Sequence, residues 1–230
     1  MTPCGDVRTT LGCILLAAVL AASLAQAQER PEPERTAFEL GFRAGVSFPF
    51  GQLSSGKNLN DWVELSFPLT FEIGARFLGR YELAAVGQYA VGTVVSPSGS
   101  GCYSGSNACS ASTGQIGVEF LYHPLGMAPV DPFVGYGVNY EWLVIRATVD
   151  GNNYNQALGG WNWAVLQAGV DFSIGRVVRL GPYALASFGD YYASNYTVPT
   201  PSGPQSGSSS VANPALHIWL SVGIRVVVLP

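Results

Sequence analysis

The residues able to do chemistry in this chain are polar side chains set into apolar segments: Glu39, Arg43, Glu72, Arg76, Gln88, Glu119, His123, Asn139, Glu141, Asp171, His217 and Arg225. Carboxylates and guanidiniums in this mixture can pair with one another across a confined interior, where each alone would be very costly. Only His123 and His217 offer a general base. Nucleophilic catalysis would need one of them within hydrogen-bond reach of a serine, with a carboxylate to orient it. His123 stands before Pro124 in a predicted turn. His217 has Ser187 or Ser221 as possible partners, but a histidine that simply fills a polar interior explains it better. No His/Cys/Asp cluster has metal-ligand spacing and no glycine-rich phosphate loop is present, so the sequence nominates no catalytic residue, cofactor or metal.

The elements that must position these side chains announce themselves by alternation. Phe38, Leu40, Phe42, Ala44, Val46 and Phe48 take turns with Glu39, Gly41, Arg43, Gly45 and Ser47. The same period returns where Phe67, Leu69, Phe71, Ile73 and Ala75 oppose Thr70, Glu72, Gly74 and Arg76, and where Leu216 to Val226 oppose His217 to Arg225. Period-two alternation is the mark of a strand with two unlike faces. It predicts eight strands, at 37–48, 65–77, 81–95, 113–123, 132–148, 161–174, 178–190 and 214–229. The third and seventh have no clear phase, and Pro182 interrupts the seventh.

Composition decides which face points outward. Only 11% of residues are charged while 48% are hydrophobic and 12% aromatic, against about a quarter charged in soluble domains. No internal run of about 18 to 20 apolar residues exists to make a membrane helix. The seven connections alternate long and short, as in membrane barrels with long outer loops and short periplasmic turns. The predicted fold is therefore an all-β, eight-stranded antiparallel up-and-down transmembrane barrel with an apolar exterior and a polar, filled lumen. A soluble barrel with an apolar cavity would also satisfy the alternation. The net charge of -4 excludes a strongly basic nucleic-acid surface.

Residues 1–27 read as a signal peptide: Arg8, the apolar run Ile14 to Leu24, and cleavage after Ala25-Gln26-Ala27. Residues 28–36 form a charged, Pro-containing leader, and residues 37–230 the barrel domain. Export leaves Cys102 and Cys109 in an oxidising setting, and a disulfide between them is expected, worth about 2.5 kcal/mol on the chain-entropy estimate. The long connections, rich in Gly, Ser, Asn and Pro, are expected to be flexible and solvated. Tyr136, Tyr140, Trp142, Trp161, Trp163, Tyr183, Tyr191 and Tyr192 are expected to form girdles at the lipid boundaries, with a carbohydrate platform as the other reading. Trp219, inward by phase, should fill the lumen or its periplasmic end.

The segments ELGFRAGVSFPFG, DPFVGYGVNYEWL and LQAGVDFSIG resemble the small eight-stranded outer-membrane barrels of the OmpA, OmpX and OmpW type. The resemblance covers residue 37 to the end. It implies outer-membrane location, monomeric state, outer-membrane lipid and lipopolysaccharide as neighbours, and insertion by the barrel-assembly machinery. In similar proteins that machinery reads a C-terminal signal whose spacing Ser221 to Val228 fits, with Val where aromatics are usual. The class includes lipid A-modifying enzymes, but His217-x-Trp219 lacks the serine of their His-x-Ser motif. The role expected is structural or surface recognition through the long loops, with a lumen plugged by Glu39, Arg43, Glu72, Arg76, Glu119, Glu141, Asp171 and Arg225. A narrow channel for ions or small apolar solutes is the alternative.

Overall fold

A computed structural model describes residues 36–94, 108–149, 151–201 and 203–229. The expected signal peptide and nearly all of the leader lie outside them, as does Cys102. The strands are β1 (Ala37–Ser54), β2 (Lys57–Asn58), β3 (Val63–Phe77), β4 (Tyr81–Val94), β5 (Ala108–Tyr122), β6 (Val130–Val149), β7 (Asn152–Ile174), β8 (Val178–Thr200), β9 (Gly203–Ser210) and β10 (Leu216–Val228). Eight of them close a ring in which each pairs antiparallel with its neighbours, β1 meeting both β3 and β10, and β10 meeting β8. Phe42, for example, sits opposite Phe71 on one side and Val226 on the other. Closure removes every edge within the ring, which a sheet in hydrocarbon requires.

The alternation resolves as a lipid-facing exterior and a polar interior. Phe42, Leu69 and Ile116 are 59%, 65% and 61% exposed, while Arg43, Thr70 and Gln115 beside them in sequence are buried. This excludes the inverted, apolar-cavity arrangement. Rings stand at both ends of the apolar band: Phe77, Tyr81 and Tyr122 at the turn end, and Tyr140, Trp142, Trp161 and Tyr192 at the loop end. Tyr183 and Tyr191, expected in a girdle, instead face inward and are buried. Both follow the inward parity of β8, whose outward positions carry Pro182, Ala184 and Ala186. No phase could be read where both faces were small or apolar.

The outer connections are more ordered than their composition suggests. β6 and β7 continue as a paired ladder up to Val149 opposite Asn152, where a loop over 149–160 was expected. In sequence, Asp150-Gly151 is a hairpin dipeptide, and Gly151 holds the left-handed φ of 75° that such a turn demands. Likewise β8 runs on to Thr200 and folds back as β9, which replaces the expected loop over 191–213 by a hairpin. Cys109 lies in β5 opposite Ala147, rather than in a loop. The β1–β3 connection turns through β2 and a 3-10 turn, Leu59–Asp61.

Candidate functional site

An eight-stranded ring leaves an interior only wide enough for side chains, so the lumen is where inward-pointing residues are forced into one another. Its lower half, toward the short turns, is an ionic network. Four arginines, Arg43, Arg76, Arg179 and Arg225, face six carboxylates, Glu39, Glu72, Glu82, Glu119, Asp131 and Asp171, all buried. Arg225 reaches Glu72 (2.8 Å), Glu82 (2.9 Å) and Asp171 (3.0 Å), so one side chain of β10 ties β3, β4 and β7. Arg76 binds Glu39 (2.6 Å) and Asp131 (2.6 Å), and Arg179 shares the same Asp131 oxygen at 2.6 Å. Arg43 pairs with Glu72, donates to Glu119 at 2.9 Å and 3.0 Å, and donates to Gln167 Oε1 at 2.6 Å.

The remaining gaps in this lower half are filled by rings. His123 presents Nδ1 to Asp131 (3.0 Å) and Nε2 to Glu82 (3.1 Å), an arrangement that an imidazolium serves by donating from both nitrogens. The Arg225 guanidinium lies 5.0 Å from the centre of the Phe133 ring, and that of Arg43 lies 5.6 Å from Tyr183. These are cation–π distances. Arginine stems and aromatic rings thus share the space between the charges.

The upper half is built differently. Glu141 is fully buried and receives neutral donors from four other strands: Gln115 Nε2 (3.1 Å), Asn162 Nδ2 (2.7 Å), Trp219 Nε1 (3.0 Å) and the Tyr191 hydroxyl. Its nearest basic group among the described residues is His217 Nε2 at 3.8 Å, and His217 stacks on Tyr191 with ring centres 4.1 Å apart. Above this carboxylate lies an apolar cluster of Leu53, Leu59, Val63, Leu143, Ile145 and Leu158, with Trp62 packed against it. Leu59, delivered by the 3-10 turn, is completely buried and acts as a cork. Trp219 belongs to this upper end, near the loops, and not to the periplasmic end.

Between the two halves is a belt of hydroxyls and amides. Ser47, Ser66, Thr113, Ser187 and Ser221, with Gln88 and Gln115, line a cavity of about 10 Å³, room for about one water. Ser221 donates to Ser47 at 2.8 Å, while Ser187 Oγ has no hydrogen-bond partner. His217 Nε2 is instead 3.2 Å from Asn162 Oδ1, so neither serine is hydrogen-bonded to it. The described residues contain no group of His, Cys, Asp and Glu able to hold a metal.

The structure thus gathers seven of the eight expected lumen charges into the lower network and sets Glu141 apart from them. Sequence reasoning missed Glu82 and Arg179, which lie on the two strands without a readable phase, and Asp131, which fell in an expected turn. It also missed Asn162. A bulge at Asn162–Ala164 shifts the register of β7 against β8, so Asn162 points inward while Trp163 remains exposed.

No family model and no curated protein sequence matches the chain. Solved structures do. A major outer membrane protein from Thermus thermophilus aligns over 83% of this chain and 99% of its own at 14% identity, with a TM-score of 0.55. Neisserial surface protein A aligns over 84% and 98% at 14% identity and a TM-score of 0.44. The attachment invasion locus protein Ail of Yersinia pestis does so over 82% and 99% at 10% identity and 0.39. The first of these establishes the likeness of fold: this chain has the architecture of the small outer-membrane β-barrels.

Proposed function

We propose that the chain is a small outer-membrane barrel of structural or surface-recognition type, which works through what it holds outside the lipid and not through its lumen. One observation supports this reading: buried side chains fill the lumen at two levels, ion pairs below and the Leu59 cluster above, which we take as two seals. Among the described residues, a closed lumen leaves the extended outer sheet of β6, β7, β8 and β9 as the part able to meet a partner. In this reading residues 1–27 direct export, 28–36 form a leader, and residues 37–230 are inserted by the barrel-assembly machinery. The barrel then stands as a monomer among outer-membrane lipid and lipopolysaccharide, with a Cys102–Cys109 staple at the outer end of β5. No catalytic role is assigned to His123 or His217.

The channel reading has the hydroxyl-lined cavity of the mid-lumen in its favour. It is the weaker one, since that cavity is sealed on both sides by buried side chains. The test is solute flux: vesicles holding the refolded mature chain should swell in small neutral or ionic solutes no faster than protein-free vesicles. Swelling that rises in proportion to inserted barrel would replace this reading with the channel.

A further inference from the structure

The outer face of the extended sheet has a composition that neither the lipid belt nor the lumen explains. Above Trp142 and Trp161 the ladder continues through two further outward-facing rows. The first is Val144, Ala157, Asn195 and Ser208, and the second is Arg146, Asn155, Thr197 and Ser206. Inward parity is fixed by Leu143, Ile145 and Leu158, which are buried in the apolar cluster. At about 3.4 Å per residue the rows stand roughly 7 and 13 Å along the strands from Trp142. They therefore rise directly from the level where the girdle meets the lipid boundary.

Among the described residues, these two rows hold Val144 and Ala157 at the β6–β7 side of the first and otherwise only amides, hydroxyls and one guanidinium, with no carboxylate. Asn155, Asn195, Thr197, Ser206 and Ser208 line a shallow groove of about 380 Å³. Thr197 and Ser206 share a hydrogen bond of 2.8 Å across β8 and β9, which holds the groove wall in one geometry. Amides and hydroxyls on a rigid sheet match the paired donors and acceptors of a sugar ring. Arg146 at the side nearest β5 matches an acidic substituent on it.

We infer that this face, on the proposed surface-recognition reading, seats the saccharide headgroup of a glycolipid anchored in the surrounding outer leaflet. Two things commit the site to a lipid-anchored source. The face is continuous with the apolar belt that already holds the lipid tails, and its groove is shallow. A shallow polar site gains its occupancy from tethering, because a neighbour fixed in the same leaflet is present at high effective concentration.

The test compares nanodiscs containing phospholipid alone, phospholipid with lipid A lacking core sugars, and phospholipid with core-bearing lipopolysaccharide. Native mass spectrometry reads glycolipid retained per barrel. Core-bearing lipopolysaccharide should be retained about tenfold more than lipid A, a difference of about 1.4 kcal/mol. Asn155→Asp with Asn195→Asp should abolish that preference, while heat-shifted mobility confirms an intact barrel. Equal retention of the two glycolipids, or a preference unchanged in the double variant, would overturn the site. So would equal binding of free core oligosaccharide by the detergent-solubilised barrel, or a second copy of the chain on this face. None of these outcomes touches vesicle swelling, so this inference and the closed-lumen reading fail separately.

Discussion

The two halves of the lumen solve the same packing problem by opposite means. Below, arginines reach across the ring and each carboxylate is matched by at least one cation. Above, one carboxylate is held by neutral donors and roofed by aliphatic side chains. The difference follows from what lies outside each level. The lower network runs from the middle of the lipid belt to its turn-end rings, where a buried charge left without a partner is very costly and every charge must be answered. The upper half rises toward solvent, so an apolar core can form over it as in a soluble barrel.

The contrast predicts unequal sensitivities, each read as urea-induced unfolding of vesicle-inserted protein. Arg225→Met should be most severe, at about 3–5 kcal/mol, the range for breaking a buried ion pair. It removes the cation that Asp171 depends on and one of those serving Glu72 and Glu82. Leu59→Ala should cost about 2–4 kcal/mol, because it empties a fully buried position in the upper core. Glu141→Gln should cost less, about 1–3 kcal/mol. The amide oxygen still accepts, but the donors aimed at the other carboxylate oxygen lose their acceptor. Ser221→Ala should fall near 0.5–1 kcal/mol, about the worth of one neutral hydrogen bond to Ser47. If Glu141→Gln proved as damaging as Arg225→Met, the division into an ionic and a neutral half would be wrong.

How much of this the sequence disclosed depends on the contrast between the two faces of each strand. In β1, β3 and β10 polar and apolar residues alternate without interruption, so inward residues such as Arg43, Glu72 and Arg225 could be named from spacing alone. In β4 the inward positions include Ala84, Val86 and Ala90, which are buried yet apolar. Glu82 therefore had no phase to mark it. In β8 the small outward residues Pro182, Ala184 and Ala186 gave no contrast with the inward face, so Arg179 and Tyr183 had no phase to mark them. β7 carried a readable phase but lost it at the bulge near Trp163, beyond which a period of two points to the wrong face. The outer hairpins were obscured for another reason: Gly, Ser and Asn runs read as loops, although paired ladders above the membrane need no apolar face to persist once β6 to β8 hold their register.

Partner choice was beyond local pattern altogether. That Arg43 meets both Glu72 and Glu119, residues far apart in the chain, depends on the stagger of the ring. Only closure sets it.

The most direct test of the account is single-channel recording in planar bilayers on the unaltered mature chain, Leu59→Ala, Arg225→Met and the two together. Two independent seals predict silence from the unaltered chain and from Leu59→Ala, since the ionic network remains shut below the missing cork. Openings should be confined to the double variant, since the Leu59 cluster still seals the barrel above when Arg225 alone is lost. Reproducible openings from the unaltered chain, or from Leu59→Ala alone, would contradict a lumen closed by its own charges.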